Sequence, residues 1–224
     1  MKILKWIPLL SLALVCAAPS FATEPERAAA PNWASVVGLY PQPGTVTGQG
    51  EQLVLLWLQK SRTPQDVARA KGEGHPSLGC FATDIRQSIA IVDFPKTEAV
   101  LEQARQDLAP VLDALHVTFA RPRPYLAIPA LTPVLPEVNS FSYPSTNAAL
   151  GTLFAEIIRQ WDPADQDALA ARGNLLGTDR VLGGVHYPSD VDAGQRLGKA
   201  FATYWIDQPE HLALIQTACS EWNQ

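Results

Sequence analysis

The stretch FSYPSTNAALGTLFAEIIRQW, Phe141 to Trp161, sets an irregular proline-bearing segment against a helix. Pro144 and Ser145 end the irregular part, and an apolar-periodic run follows. Serine is a favoured N-cap, because its hydroxyl accepts from a free backbone N–H. The unpaired N–H groups of the first turn should crowd at Thr146 and Asn147, which suits an anion. An ordinary capped helix would begin in the same way.

Working outward, helix signals dominate. Asp162 and Pro163 start a second helix, expected to run to about Leu176. Ser189 or Asp190 caps a third, over VDAGQRLGKAFATYWI, Val191 to Ile206. Upstream, Val100, Leu101, Ala104, Leu108, Val111, Leu112 and Leu115 recur at spacings of three and four, with Pro110 a candidate kink. EQLVLLWLQKSRTPQDVARAKG, Glu51 to Gly72, reads as helix broken near Thr63-Pro64. Residues 40–50 and 121–144 are too rich in Pro and Gly for regular structure. Alternating strand patterns are scarce. The fold class expected is all-α, a single-domain helix bundle over residues 40–224.

Residues 1–22 have the build of a secretory signal: Lys2 and Lys5, an apolar run from Ile7 to Ala18, then Ser20-Phe21-Ala22. That run is too short to span a bilayer. Residues 23–39 read as an N-terminal tail. Cleavage after Ala22 takes two lysines from the 17 basic residues and leaves 15 against 22 acidic ones. An acidic chain of this kind offers no footprint for nucleic acid. No later run reaches membrane-spanning length, so the expected location is periplasmic or secreted. Of three cysteines, Cys80 and Cys219 remain after cleavage, and an exported chain favours a Cys80–Cys219 disulfide over two thiols.

Two segments hold polar groups suited to chemistry. In TDRVLGGVHYPSDVDAG, Thr178 to Gly194, Arg180, His186 and Asp190 stand among small and apolar neighbours. A helical turn would bring the Asp190 carboxylate to the His186 imidazole and leave the other ring nitrogen as base or nucleophile. The plainer alternative is a capping Asp190 beside a partly buried histidine. FARPRPYL, Phe119 to Leu126, holds Arg121 and Arg123 each before a proline, a setting that stiffens an arginine fork for phosphate. Solvated arginines on a surface loop are the alternative there. His75 lies in a turn and His211 near the C-terminus, and no His/Cys spacing suggests structural zinc.

In this order, arginine-proline, Pro-Ser at a helix start, and Arg-x5-His-x3-Asp, the chain resembles the phosphatidic acid phosphatase type 2 and vanadium haloperoxidase superfamily. Its secreted bacterial class A nonspecific acid phosphatases read Lys-x6-Arg-Pro, Pro-Ser-Gly-His and Ser-Arg-x5-His-x3-Asp. The resemblance implies phosphate monoester hydrolysis without metal or cofactor. Arg123 and Arg180 would grip the phosphate, with Ser145 beside them. His186 would attack phosphorus and Asp190 would orient it. A homodimer is implied by analogy alone.

Four positions depart from the pattern: His116 for the lysine, Thr146 for the glycine, Asn147 for the second histidine and Asp179 for the serine. Thr146 keeps its backbone N–H. His116 is cationic only when protonated, and Asp179 sets negative charge near Arg180. Asn147 donates a hydrogen bond but transfers no proton. His116, Asp179 or a water are the expected substitutes for the lost acid. The competing expectations are a silent phosphate- or phospholipid-binding protein on the same scaffold, and a structural helical protein with no site.

Overall fold

The computed structural model describes residues 28–82 and 94–222. It is all-α, with no strand among those residues. In chain order the helices are α1 Trp33–Val37, α2 Val46–Ser61, α3 Pro64–Gly72, α4 Pro95–Phe119, α5 Pro124–Ala127, α6 Thr146–Ile158, α7 Gln166–Leu182, α8 Pro188–Ile206 and α9 Pro209–Trp222. The expected signal segment lies outside the described residues.

Helix α6, read from the opening stretch, is the centre of the bundle. Ser145 caps it, accepting from Ala148 N. Leu150, Leu153, Phe154, Ile157 and Ile158 are buried, as are Ala148, Ala149, Gly151 and Ala155. A helix apolar on nearly every side must be covered on every side. α7 and α8 cover it at very short range. A Cβ built on Gly151 would lie 2.6 Å from the Gly173 carbonyl oxygen, and one on Gly173 would lie 2.5 Å from that of Gly151. Gly151→Ala ordinarily gains about 1 kcal/mol of helix propensity. Here the obstacle is backbone, which cannot swing aside, so overpacking of about 1–3 kcal/mol should win. Urea denaturation should show a lower midpoint for Gly151→Ala; a higher one would refute the close crossing.

Several expectations change. Trp33 belongs to α1, not to a tail: its ring packs 5.5 Å from Phe201 and 5.6 Å from Tyr204, and Val37 is fully buried. Residues 46–50, expected as loop, open α2 under a Thr45 cap. Asp162 gives no side-chain cap; a 3₁₀ turn over Pro163–Asp165 precedes α7, which continues past Leu176 to Leu182. Asp179 and Arg180 therefore ride on a helix. Tyr187 is the N-cap residue of α8, and Asp190 in the first turn supplies the side-chain bond to its backbone N–H. α4 runs through Pro110 without interruption.

α9 was not foreseen. Its Glu221 carboxylate accepts from Lys96 N at 2.8 Å and Thr97 N at 2.9 Å, satisfying free N–H groups at the start of α4. The disulfide is also corrected: Cys80 and Cys219 are free thiols. Cys80 Sγ sits 3.9 Å from the His75 carbonyl, while α9 docks through Ala218, Glu221 and Trp222.

Candidate active site

The first turn of α8 builds one half of the site. Asp190 Oδ2 accepts from Tyr187 N at 2.8 Å and faces His186 Nδ1 at 3.3 Å. The carboxylate thus caps the helix and orients the imidazole, combining the two alternatives the sequence left open. Asp190 is fully buried and His186 is 5% exposed. Ser145 N donates to the Asp190 carbonyl at 2.9 Å, which ties the start of α6 to this turn.

The other His186 nitrogen, Nε2, lies 2.8 Å from Arg123 Nη1. A guanidinium only donates, so Nε2 is an acceptor and its lone pair faces the arginine. Arg123 is fixed further by Ser140 O, Ser140 Oγ and Val185 O. Burial lowers the His186 pKa to about 4; the Asp190 bond opposes the shift and the Arg123 charge adds to it. The imidazole is therefore neutral across mildly acidic and neutral pH, the state a nucleophile requires.

The Arg-Pro-Arg-Pro pair divides its labour. Arg121 turns to the far side of Asp190, donating to Oδ1 at 2.6 Å and to Glu51 Oε2 at 2.9 Å. Its guanidinium lies 3.8 Å from the Tyr187 ring centroid. Glu51 Oε1 in turn accepts from Ser189 N at 2.7 Å. Neither Arg121 as a clamp on Asp190 nor Glu51 was found in the sequence. No sequence signal pointed to it, since extended residues two apart share one face.

The remaining site residues surround this core or stand apart from it. His116 Nε2 bonds the Pro144 carbonyl at 2.9 Å. Burial, and secondarily Arg123, lower its pKa, while that carbonyl bond raises it. The expected His116 charge is thus deferred to more acidic conditions. Thr146 and Asn147 are half-buried at the start of α6. The Asn147 amide donates to the carbonyls of Glu73 at 3.3 Å and Gly74 at 3.2 Å.

Arg180 faces a different neighbourhood, with Nη2 donating to the Ala70 carbonyl. Arg180 is 6% exposed, and its buried Nε has no hydrogen-bond partner among the described residues. It lines a cavity of about 640 Å³ with Lys71, His75 and the Pro133–Pro136 strap. The strap adjoins the Gly183-Gly184 turn before His186: Val134 N donates to Gly183 O at 3.0 Å. Gly184 has φ +80°, which glycine adopts without strain. Asp179 does not oppose Arg180 with a bare charge. Its two oxygens are held by Arg69 at 2.8 and 2.9 Å, a bidentate pair that sequence spacing gave no sign of. Glu73 pairs with Arg172 at 2.5 Å; its pKa is raised chiefly by burial, with Arg172 opposing and Asp179 adding.

Among the described residues no group of His, Cys, Asp and Glu is arranged to hold a metal ion. No helix among them is long and apolar enough to cross a membrane.

Comparison with known proteins agrees with this architecture. No family model matches the chain. It is 35% identical over 81 residues to a non-specific acid phosphatase of Providencia stuartii, covering 36% of this chain and 33% of that protein. It is 46% identical over 57 residues to the non-specific acid phosphatase of Salmonella typhimurium, covering 25% of this chain and 23% of that one. The matches therefore span a third or less of the length of these relatives. The fold is similar to that of a transmembrane PAP2-type phosphatidylglycerolphosphate phosphatase from Bacillus subtilis, with TM-score 0.51 and 17% identity over 76% of this chain and 89% of that chain. Segments of the chain are thus similar to non-specific acid phosphatases, and its all-α fold is similar to that of a PAP2-type phosphatase.

Proposed function

We propose that the protein is an exported acid phosphatase-like hydrolase of phosphate monoesters that works through a phosphohistidine on His186. The observation that carries this is the buried, neutral imidazole held between Asp190 and Arg123. An imidazole with Nδ1 fixed by a carboxylate presents Nε2 as an in-line nucleophile. An arriving phosphoryl group takes the place that Arg123 Nη1 now holds against Nε2. The arginine then turns its charge onto the phosphoryl oxygens, where neutralisation lowers the barrier.

Ser145 and the N–H groups of Thr146 and Asn147 complete the anion site from α6. Arg180 brings the second cation, since its unpartnered Nε–H lacks an acceptor that a phosphate oxygen would supply. Attack forms the N–P bond and breaks the P–O ester bond; water then hydrolyses the phosphohistidine to inorganic phosphate. His116 stays neutral except in acid and acts through its bond to Pro144, beside the Ser145 cap.

The test is acid- and base-quenched mass spectrometry after mixing with 4-nitrophenyl phosphate. The expected result is a phosphate adduct on His186, stable to base and labile to acid, with release of nitrophenolate. No adduct and no hydrolysis from pH 4 to 7.5, together with calorimetric binding of phosphate, would instead establish the silent binding protein.

A further inference from the structure

We propose that His75 supplies the leaving-group proton that Asn147 cannot, and that Asn147 holds the turn presenting it; this rests on the phosphatase reading above. The chain keeps a nucleophile side just before α8, but the first turn of α6 carries an amide with no proton to transfer. A monoester with a poor leaving group needs an acid near its ester oxygen.

Other acidic or imidazole groups around the site are already engaged. The His116 ring is bonded to Pro144 O. Both Asp179 oxygens are held by Arg69. The Glu73 carboxyl is buried and engaged by Arg172 through Oε1; its Oε2 has no hydrogen-bond partner among the described residues, but Glu73 does not line the cavity that holds Arg180. His75 differs, because it is exposed and its ring has no hydrogen-bond partner among the described residues.

Its position is set from two directions. The Asn147 amide grips the carbonyls of Glu73 and Gly74, the two residues immediately before it. Cys80 Sγ lies 3.9 Å from the His75 carbonyl. The turn so held places His75 in the lining of the cavity that also holds Arg180. A second observation marks that cavity for an anion. Arg180 is more than nine-tenths buried there, with Nε–H lacking an acceptor. Lys71 adds a further cation to the same wall.

In the first step His186 Nε2 forms the bond to phosphorus and the ester P–O bond breaks. The His75 ring N–H gives its proton to the departing oxygen, so an alcohol leaves and His75 becomes neutral. In the second step water attacks phosphorus and its proton returns to His75. The N–P bond breaks, restoring His186 and releasing phosphate.

The experiment compares glycerol 2-phosphate with 4-nitrophenyl phosphate in wild type, His75→Gln and Asn147→Ala. His75→Gln should lose about 10²-fold or more in kcat/KM on the alkyl ester. It should lose less than about tenfold on the aryl ester, whose anion needs little help to leave. Asn147→Ala should show the same bias, since it frees the turn. Added imidazole should partly restore alkyl ester turnover in His75→Gln, and so should Asn147→His in that background. Equal losses on both esters, or none, would overturn the role of His75 while leaving the His186 adduct of the wild type intact. A wild type with neither adduct nor hydrolysis would overturn the phosphatase reading and this proposal together.

Discussion

His186→Gln should abolish phosphate monoester turnover, by at least about 10³-fold, and should also make the fold more resistant to acid. The first effect follows from the nucleophile. Glutamine keeps a polar side chain against Asp190 and Arg123, but its amide does not form the covalent intermediate. The second follows from linkage. In the folded protein His186 titrates near pH 4, because burial and the Arg123 charge oppose protonation. In the unfolded chain a histidine titrates near 6.5. Below pH 6.5 the unfolded state binds the extra proton, so stability falls as pH drops from about 6.5 towards 4. A displacement of that size corresponds to about 3 kcal/mol at the acid end. His186→Gln lacks this proton and should have a flatter pH dependence between 4 and 6.5. Paired urea titrations at pH 4.5 and 7 check the sign. A wild type whose loss of stability in acid matches that of the variant would show that His186 is not the group responsible.

The helix class and the pairing of His186 with Asp190 were legible because they rest on local rules. The Ser145 cap, the apolar spacing along α4 and the i to i+4 relation of His186 and Asp190 each need only a few neighbouring residues. The misses have a different origin. α6 reads as an apolar-periodic helix, but that it is covered on every side was not legible, because the glycines of α7 and α8 let backbones approach far closer than side-chain patterning implies. α1 has only five residues, and the roles of α1 and α9 depend on partners more than a hundred residues away, as with Glu221 capping Thr97. Charge assignment failed for the same reason. Asp179 and Arg180 are adjacent in sequence, but they lie on a helix, where adjacent side chains diverge by about 100°. One turned to Arg69 and the other to the cavity. That the Asn147 amide would fasten the 73–74 turn was not legible in the sequence.

Arg121→Met should cost more stability than any substitution on the exposed faces, even though methionine is a fair volume match. Arg121 is the common cation of two buried carboxylates, Asp190 and Glu51, with side-chain exposures of 0% and 7%. Removing one partner of a buried pair leaves uncompensated charge, at about 3–5 kcal/mol. For a chain of this size that lowers Tm on the order of 10 °C. Packing against Tyr187 and Tyr40 is partly kept by the thioether, so the electrostatic loss should dominate. Arg123 supplies the internal contrast. It bonds carbonyls, a hydroxyl and an imidazole but no carboxylate. Arg123→Met should therefore weaken phosphate binding more than it lowers Tm. A double-mutant cycle with Glu51→Gln separates the two carboxylates, because neutralising Glu51 removes part of the cost of losing Arg121. Tm values for wild type, both single arginine variants, Glu51→Gln and the Arg121→Met/Glu51→Gln pair decide the matter. Equal Tm losses for Arg121→Met and Arg123→Met, with additive behaviour in the cycle, would show that the Glu51–Arg121–Asp190 chain does not act as one unit behind His186.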